Sequence, residues 1–150
     1  MKLLNVPHFQ QSGSHNCVPT CVRMVLAYWG HNYTEKELVS IFRTLPRLGT
    51  PFDEIAPGLQ RLGFRSLLFE NADVKRLRSL IANNWPIIVF LDVSDLRPGY
   101  RGFHAIVVIG TSDNQIFCLD PEQSTLTVFA IDVFERIWIR MDNQGLAIWQ

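Results

Sequence analysis

Apolar and polar positions change rhythm about halfway along the chain. In the first half, apolar residues recur three and four apart, the spacing of helices with one buried face. Val22, Val25, Leu26 and Trp29 follow it, Pro19 suits a first turn where its missing N–H leaves nothing unpaired, and Gly30 supplies a stop. A helix is therefore predicted from about Val18 to Trp29. Thr34-Glu35-Lys36-Glu37 matches a capping box, in which the Thr hydroxyl and the Glu three residues on satisfy each other's free backbone donors, so a second helix is expected to about Arg43. Thr50-Pro51 opens a third, with Ile55, Leu59 and Leu62 on one face and Gly63 at its end. Phe64 to Phe69 reads as a strand, and Asp73 to Ala82, with Val74, Leu77, Leu80 and Ile81 at helical spacing, as a fourth helix.

From there the pattern shortens. Pro86 to Val93, Phe103 to Thr111, Gln115 to Leu119 and Thr125 to Ala130 are runs rich in Val, Ile and Phe, separated by Ser, Asp, Asn, Gly and Pro. They predict strands of one antiparallel sheet. Ser112-Asp113-Asn114 is a short hairpin turn, and folding the chain there sets residues near 120 opposite those near 106. Asp132 to Trp138 suits a short helix and Leu146 to Trp149 a last strand. Helices first and strands afterwards predict an α+β fold, with N-terminal helices packed on one side of a C-terminal antiparallel sheet.

Composition narrows this picture. A chain of 150 residues fits one domain, taken as residues 1–150, and 47% hydrophobic residues suffice for a core. Fourteen basic residues balance fourteen acidic ones, so no charge excess points to nucleic acid or an anionic membrane. The start, Met1 to His8, lacks the apolar stretch of a signal peptide, and the longest apolar runs, Ile87 to Leu91 and Ala105 to Ile109, fall far short of the roughly 20 residues of a membrane span. A soluble, cytoplasmic location is the expectation. Three cysteines without a dense pairing pattern read as reduced thiols.

One of these thiols stands where chemistry is favoured. Cysteine attacks as thiolate, a form stabilised at a helix N-terminus and beside a cationic imidazole. Cys17 follows the polar loop Gln10 to Asn16 and begins the predicted first helix, so its backbone N–H is free to meet a substrate carbonyl. Gln11, six residues earlier, carries an amide donor that suits the other half of an oxyanion site. His104 lies near the start of an apolar strand, on one face with Ile106 and Val108, and fits the base. A neutral imidazole needs a partner to fix its tautomer, and Asp120, at the end of the next strand, can reach it across the hairpin.

Taken together, Gln11, Ser12 to Asn16, Cys17, Pro19, Cys21, then Phe103-His104-Ala105-Ile106-Val107 and Leu119-Asp120-Pro121 resemble the bacteriocin-processing peptidases. Those are papain-like enzymes that cut after a double glycine, commonly fused to a membrane transporter. The resemblance implies a papain-like α+β fold and a cysteine peptidase or amide hydrolase working through an acyl-thioenzyme on a peptide or protein, leader segments included. It implies Cys17 as nucleophile, His104 as base, Asp120 as its orienting partner and Gln11 in the oxyanion hole; such chemistry requires no cofactor, and association with a transporter or other partner protein stays open. Val18 departs from the family glycine after the nucleophile, and its β-branched side chain is expected to narrow the cleft.

Other readings carry less. Val18 favours a non-catalytic peptide-binding module of the same fold, and acyl transfer or deamidation would use the same thioester. His8, His15, Cys17 and Cys21 could be read as zinc ligands, but the spacing is poor and no second pair follows; His8 and His15 are better placed at the cleft rim. Cys21, Cys118, Trp29, Trp85 and Trp138 read as core, and Lys75, Arg76 and Arg78 as solvated surface. The loop Ser94 to Gly102, with Asp95, Arg97, Tyr100 and Arg101, directly precedes His104 and is expected to shape a substrate groove.

Overall fold

In the computed structural model, which describes residues 2–100 and 102–150, the helical spacing of the first half folds much as read. Helix α1 (Cys17–Tyr28) buries Val18, Cys21, Val22, Met24, Val25 and Leu26, starting one residue earlier than the spacing predicts. Pro19 falls in its first turn. Helix α2 (Glu35–Ile41) has the full capping box: Thr34 accepts from the Glu37 N–H, and Glu37 reaches back to the Thr34 N–H. It stops two residues short of Arg43 because Arg43 takes a left-handed conformation at φ 51°.

The third expected helix divides. Phe52–Glu54 forms a single 3₁₀ turn, and helix α3 (Ile55–Arg61) follows. Strand β1 (Arg65–Phe69) then precedes helix α4 (Val74–Ala82), whose Asp73 cap accepts from the Arg76 N–H at 2.8 Å. Arg78, expected as free surface, instead donates to the carbonyls of Ser112 and Asp113 at 3.1 and 3.2 Å, tying α4 to a hairpin.

Strands β2 (Ile87–Leu91), β3 (His104–Thr111), β4 (Gln115–Leu119) and β5 (Thr127–Ala130), helix α5 (Ile131–Ile139) and strand β6 (Gly145–Trp149) complete the chain. All six strands form one antiparallel sheet in the order β1-β6-β2-β3-β4-β5. Every residue of β2, and of β3 through Gly110, is buried. Side chains alternate faces along a strand, so the centre of the sheet is covered on both sides rather than on one. Phe52, Phe90 and Phe103 stack on the face away from His104, with ring centroids 4.7 to 5.4 Å apart.

The β3–β4 register sets the geometry that matters for chemistry. Val107 pairs with Leu119 and Val108 with Cys118, and the register then shifts by one between Val108 and Gly110. The residue beyond Leu119, Asp120, thus lies opposite Ile106 and diagonal to His104 on the same face, within reach of an imidazole. Beside the shift, the extended N-terminal arm docks through Leu4 N–H to the Ile109 carbonyl at 2.9 Å. Gly110 suits the close approach, since a Cβ there would lie 3.2 Å from the Lys2 carbonyl and would displace the end of the Leu3 side chain.

Candidate active site

Cys17 is the first residue of α1 and His104 the first of β3, while Asp120 follows β4 directly. The preceding Asn16 occupies the cap position of α1 but makes no capping bond, so no side chain claims the free N–H groups of the first turn. Cys17 keeps 7% exposure, whereas His104 and Asp120 are fully buried.

His104 donates from Nε2 to Asp120 Oδ1 at 2.7 Å. Asp120 Oδ1 also accepts the Glu122 N–H at 2.9 Å, and its Oδ2 accepts from Arg97 at 2.5 Å. Arg97 in turn pairs with Glu122. Burial alone would raise the Asp120 carboxyl, but the His104 hydrogen bond and charge, the Glu122 N–H and Arg97 bring it down to about 2. Burial alone would lower the His104 ring, yet the hydrogen bond to Asp120, the neighbouring Cys17 sulfur and the charges of both raise it to about 9. The ring is therefore cationic at neutral pH, with Asp120 as its counter-charge.

The remaining ring nitrogen, Nδ1, lies 2.9 Å from the Tyr100 hydroxyl. Burial, then charge on Cys17, pushes the Tyr100 phenol up, so it stays protonated. Tyr100 thus joins the two sides of the site, bonded to His104 and lining one cavity with Cys17. Cys21 donates to the Ala105 carbonyl at 3.3 Å, and burial raises both its thiol and that of Cys118, which marks these two as core.

Gln11 arrives by way of the N-terminal arm. Its N–H donates to the Pro121 carbonyl at 2.8 Å, and His8 Nε2 meets the Asp120 carbonyl at 2.8 Å, so the arm is fastened where β4 ends. The Gln11 amide donates to the Gly13 carbonyl at 2.6 Å, while its Oε1 is buried without a partner. No side-chain hydrogen bond joins Gln11 to His104 or Asp120 among the described residues.

A cavity of about 320 Å³ opens against Cys17, lined by Ser14, His15, Thr50, Tyr100 and Phe103 among others. His15 is at its rim, as expected. Val18 is not in its lining: the side chain is fully buried in the core, which corrects the expectation that it narrows the cleft and removes the support it lent to a pure binding module. The loop before β3 does face the cavity, through Gly99, Tyr100 and Gly102, with Arg101 outside the described residues. His104, Asp120 and Glu122 bring three ligand atoms within 4.8 Å of one another, but Arg97 already supplies the cationic partner of both carboxylates. Sequence reasoning missed Arg97 and Tyr100 as contacts of the pair, and Glu122 and His8 beside it. The loop drew notice, yet no spacing ties it to a particular carboxylate.

Known proteins share the fold that holds these residues. The chain resembles the crystal structure of a candidate C39-like peptidase from Bacillus anthracis, with a TM-score of 0.80 and 15% identity over 100% of this chain and 98% of that one. It resembles the peptidase domain of Streptococcus ComA, a bi-functional ABC transporter involved in a quorum sensing pathway, with a TM-score of 0.77 and 27% identity over 97% of both chains. A double glycine motif protease from an AMS/PCAT transporter, crystallised with its leader peptide, matches with a TM-score of 0.76 and 15% identity over 97% of this chain and 92% of that one. No curated protein matches. The fold is the papain-like α+β architecture of these peptidase domains, and the family model described as Peptidase_C39 like matches residues 3–146, so the chain belongs to the Peptidase_C39-like family.

Proposed function

We propose that this chain is a cysteine peptidase that cleaves a peptide bond through an acyl-thioenzyme. The observation that carries the reading is the buried His104–Asp120 ion pair set against Cys17, the one partly exposed thiol, at the start of a helix. The Cys17 sulfur, its proton held by His104, bonds as thiolate to the substrate carbonyl carbon, and the carbonyl electron pair moves to oxygen. Collapse of that adduct expels the amine, which takes its proton from His104, and leaves a thioester. Water then attacks with His104 accepting its proton, and the acid product leaves as the Cys17 thiolate and protonated His104 are restored. Asp120 keeps Nε2 occupied, so the exchanging proton sits on Nδ1. The Cys17 N–H and the second N–H of the Gln11 amide stabilise the oxyanion, roughly 3 to 4 kcal/mol per donor in comparable sites.

Likeness to a double glycine protease bound to a leader peptide supports a leader segment as substrate. Likeness to a transporter peptidase domain supports work alongside a transporter or other partner, in the cytoplasm, where the three free thiols stay reduced. The test is incubation with leader-like peptides carrying an internal Gly-Gly, read by mass spectrometry. Cleavage after the second glycine, abolished by Cys17→Ala, is expected. No cleavage across a broad peptide library, with no acyl adduct at Cys17, would overturn the proposal.

A further inference from the structure

Both proposed oxyanion donors flank a segment, Ser12 to Asn16, that has no regular secondary structure to hold it. Glu35, the first residue of α2, places its carboxylate against that segment. Oε2 accepts the Ser12 N–H at 2.8 Å and the Thr20 hydroxyl at 3.1 Å; Oε1 accepts the Asn16 amide at 3.1 Å and the Ser12 hydroxyl. Ser12 adjoins Gln11 and Asn16 adjoins Cys17, so one group grips the neighbour of each donor, and Thr20 adds the first turn of α1. The Asn16 side chain is thereby drawn away from capping its own helix. Capping does not explain Glu35, since Thr34 and Glu37 already cap α2 reciprocally. Burial would raise the Glu35 carboxyl, but its hydrogen bonds from Ser12, Asn16 and Thr20 hold it below the usual range, so it is ionised and able to accept all four.

We propose that Glu35 is a positioning residue for the oxyanion site, fixing the Gln11 amide relative to the Cys17 N–H through the segment between them. This rests on the proposed role of Cys17. Two probes separate the ideas. Iodoacetamide alkylates sulfur by displacing iodide and forms no oxyanion, whereas the aldehyde acetyl-glycyl-glycinal adds to sulfur, and its oxygen takes the negative charge and then a proton as the hemithioacetal forms. In Glu35→Gln an amide nitrogen faces two of the four donors. The expected result is aldehyde binding weakened about 10- to 100-fold, the scale of a damaged oxyanion site, with Cys17 alkylation within about threefold of the unaltered chain. Combined with Gln11→Ala, Glu35→Gln is expected to add less than about threefold, because both act on one donor set.

Ser12→Ala, at an exposed position, removes a single donor and is expected to shift the aldehyde alone, by a smaller factor. Equal slowing of both probes in Ser12→Ala and Glu35→Gln would mark a merely structural role and overturn the proposal, as would aldehyde binding within about twofold of the unaltered chain. An unaltered chain whose Cys17 reacts with neither probe would take down the peptidase reading, and this proposal with it.

Discussion

Replacing Asp120 by asparagine keeps the shape and one acceptor oxygen but removes the charge that holds His104. The cost follows from the pair itself. Raising the ring from 6.5 to about 9 and lowering the carboxyl from 3.8 to about 2 each correspond to roughly 2–4 kcal/mol, at roughly 1.4 kcal/mol per pH unit. The His104–Asp120 contact is the shared part of both shifts, the rest coming from Cys17, the Glu122 N–H and Arg97, so its stabilisation is about 2–3 kcal/mol, counted once. Its sign with pH is set by both partners. The His104 share is complete below about 6.5 and is lost as pH rises through about 9; the Asp120 share is complete above about 4 and is lost as pH falls through about 2. The pair therefore stabilises most between about pH 4 and 6.5. Urea unfolding of the unaltered chain and Asp120→Asn at about pH 5.5 and about pH 10 should give a difference near 2–3 kcal/mol at the lower pH and less than half of that at the higher. The ring, followed by NMR, should titrate about two pH units lower in the variant. An equal cost at both pH values, with the ring unmoved, would refute the reasoning and leave Asp120 as the turn residue its Asp-Pro sequence suggests.

Three further outcomes follow from the same structure. Val18→Gly empties a fully buried position in the first turn of α1 and should cost about 2–4 kcal/mol in urea unfolding without speeding peptide cleavage; a faster enzyme would mean that Val18 obstructs the cleft after all. Tyr100→Phe removes the hydroxyl from His104 Nδ1, freeing that nitrogen for Cys17, and should raise the Cys17 alkylation rate about 2- to 10-fold, the worth of one hydrogen bond; a fall would show that the hydroxyl supports the thiolate instead. Arg97→Met leaves Glu122 without its cation and Asp120 with His104 alone, and should destabilise the chain by about 1–3 kcal/mol, less in high salt because solvent reaches the guanidinium; an unchanged urea midpoint would mean these pairs carry no net energy.

The parts of this molecule that were legible beforehand have local causes. A capping box, an apolar stripe closed by glycine and a three-residue hairpin are each written within about a dozen residues, and α2, α1 and the β3–β4 register follow from them. That register is also why the sequence alone pairs His104 with Asp120. What was not legible depends on distant partners. Strand β6 slips between β1 and β2, which no nearby residue signals. Arg97 meets Asp120 across 23 residues and Glu35 meets Ser12 across 23, and charged side chains at such separations carry no periodicity. Val18 was misjudged for a geometric reason: a helix turns about 100° per residue, so the neighbour of a residue at the cleft swings into the core. One covered face is the expectation for an antiparallel sheet, but β2 and β3 from Ala105 to Ile109 are apolar without alternation, the mark of strands buried on both faces.

The central claim, that His104 activates Cys17, is tested most directly by the rate of iodoacetamide modification against pH, located by peptide mass mapping, in the unaltered chain and in His104→Ala. The account predicts fast labelling at Cys17, faster at neutral pH than free cysteine, that collapses when His104 is replaced, while buried Cys21 and Cys118 stay unlabelled. Labelling of Cys17 no faster than free cysteine and indifferent to His104 would contradict it.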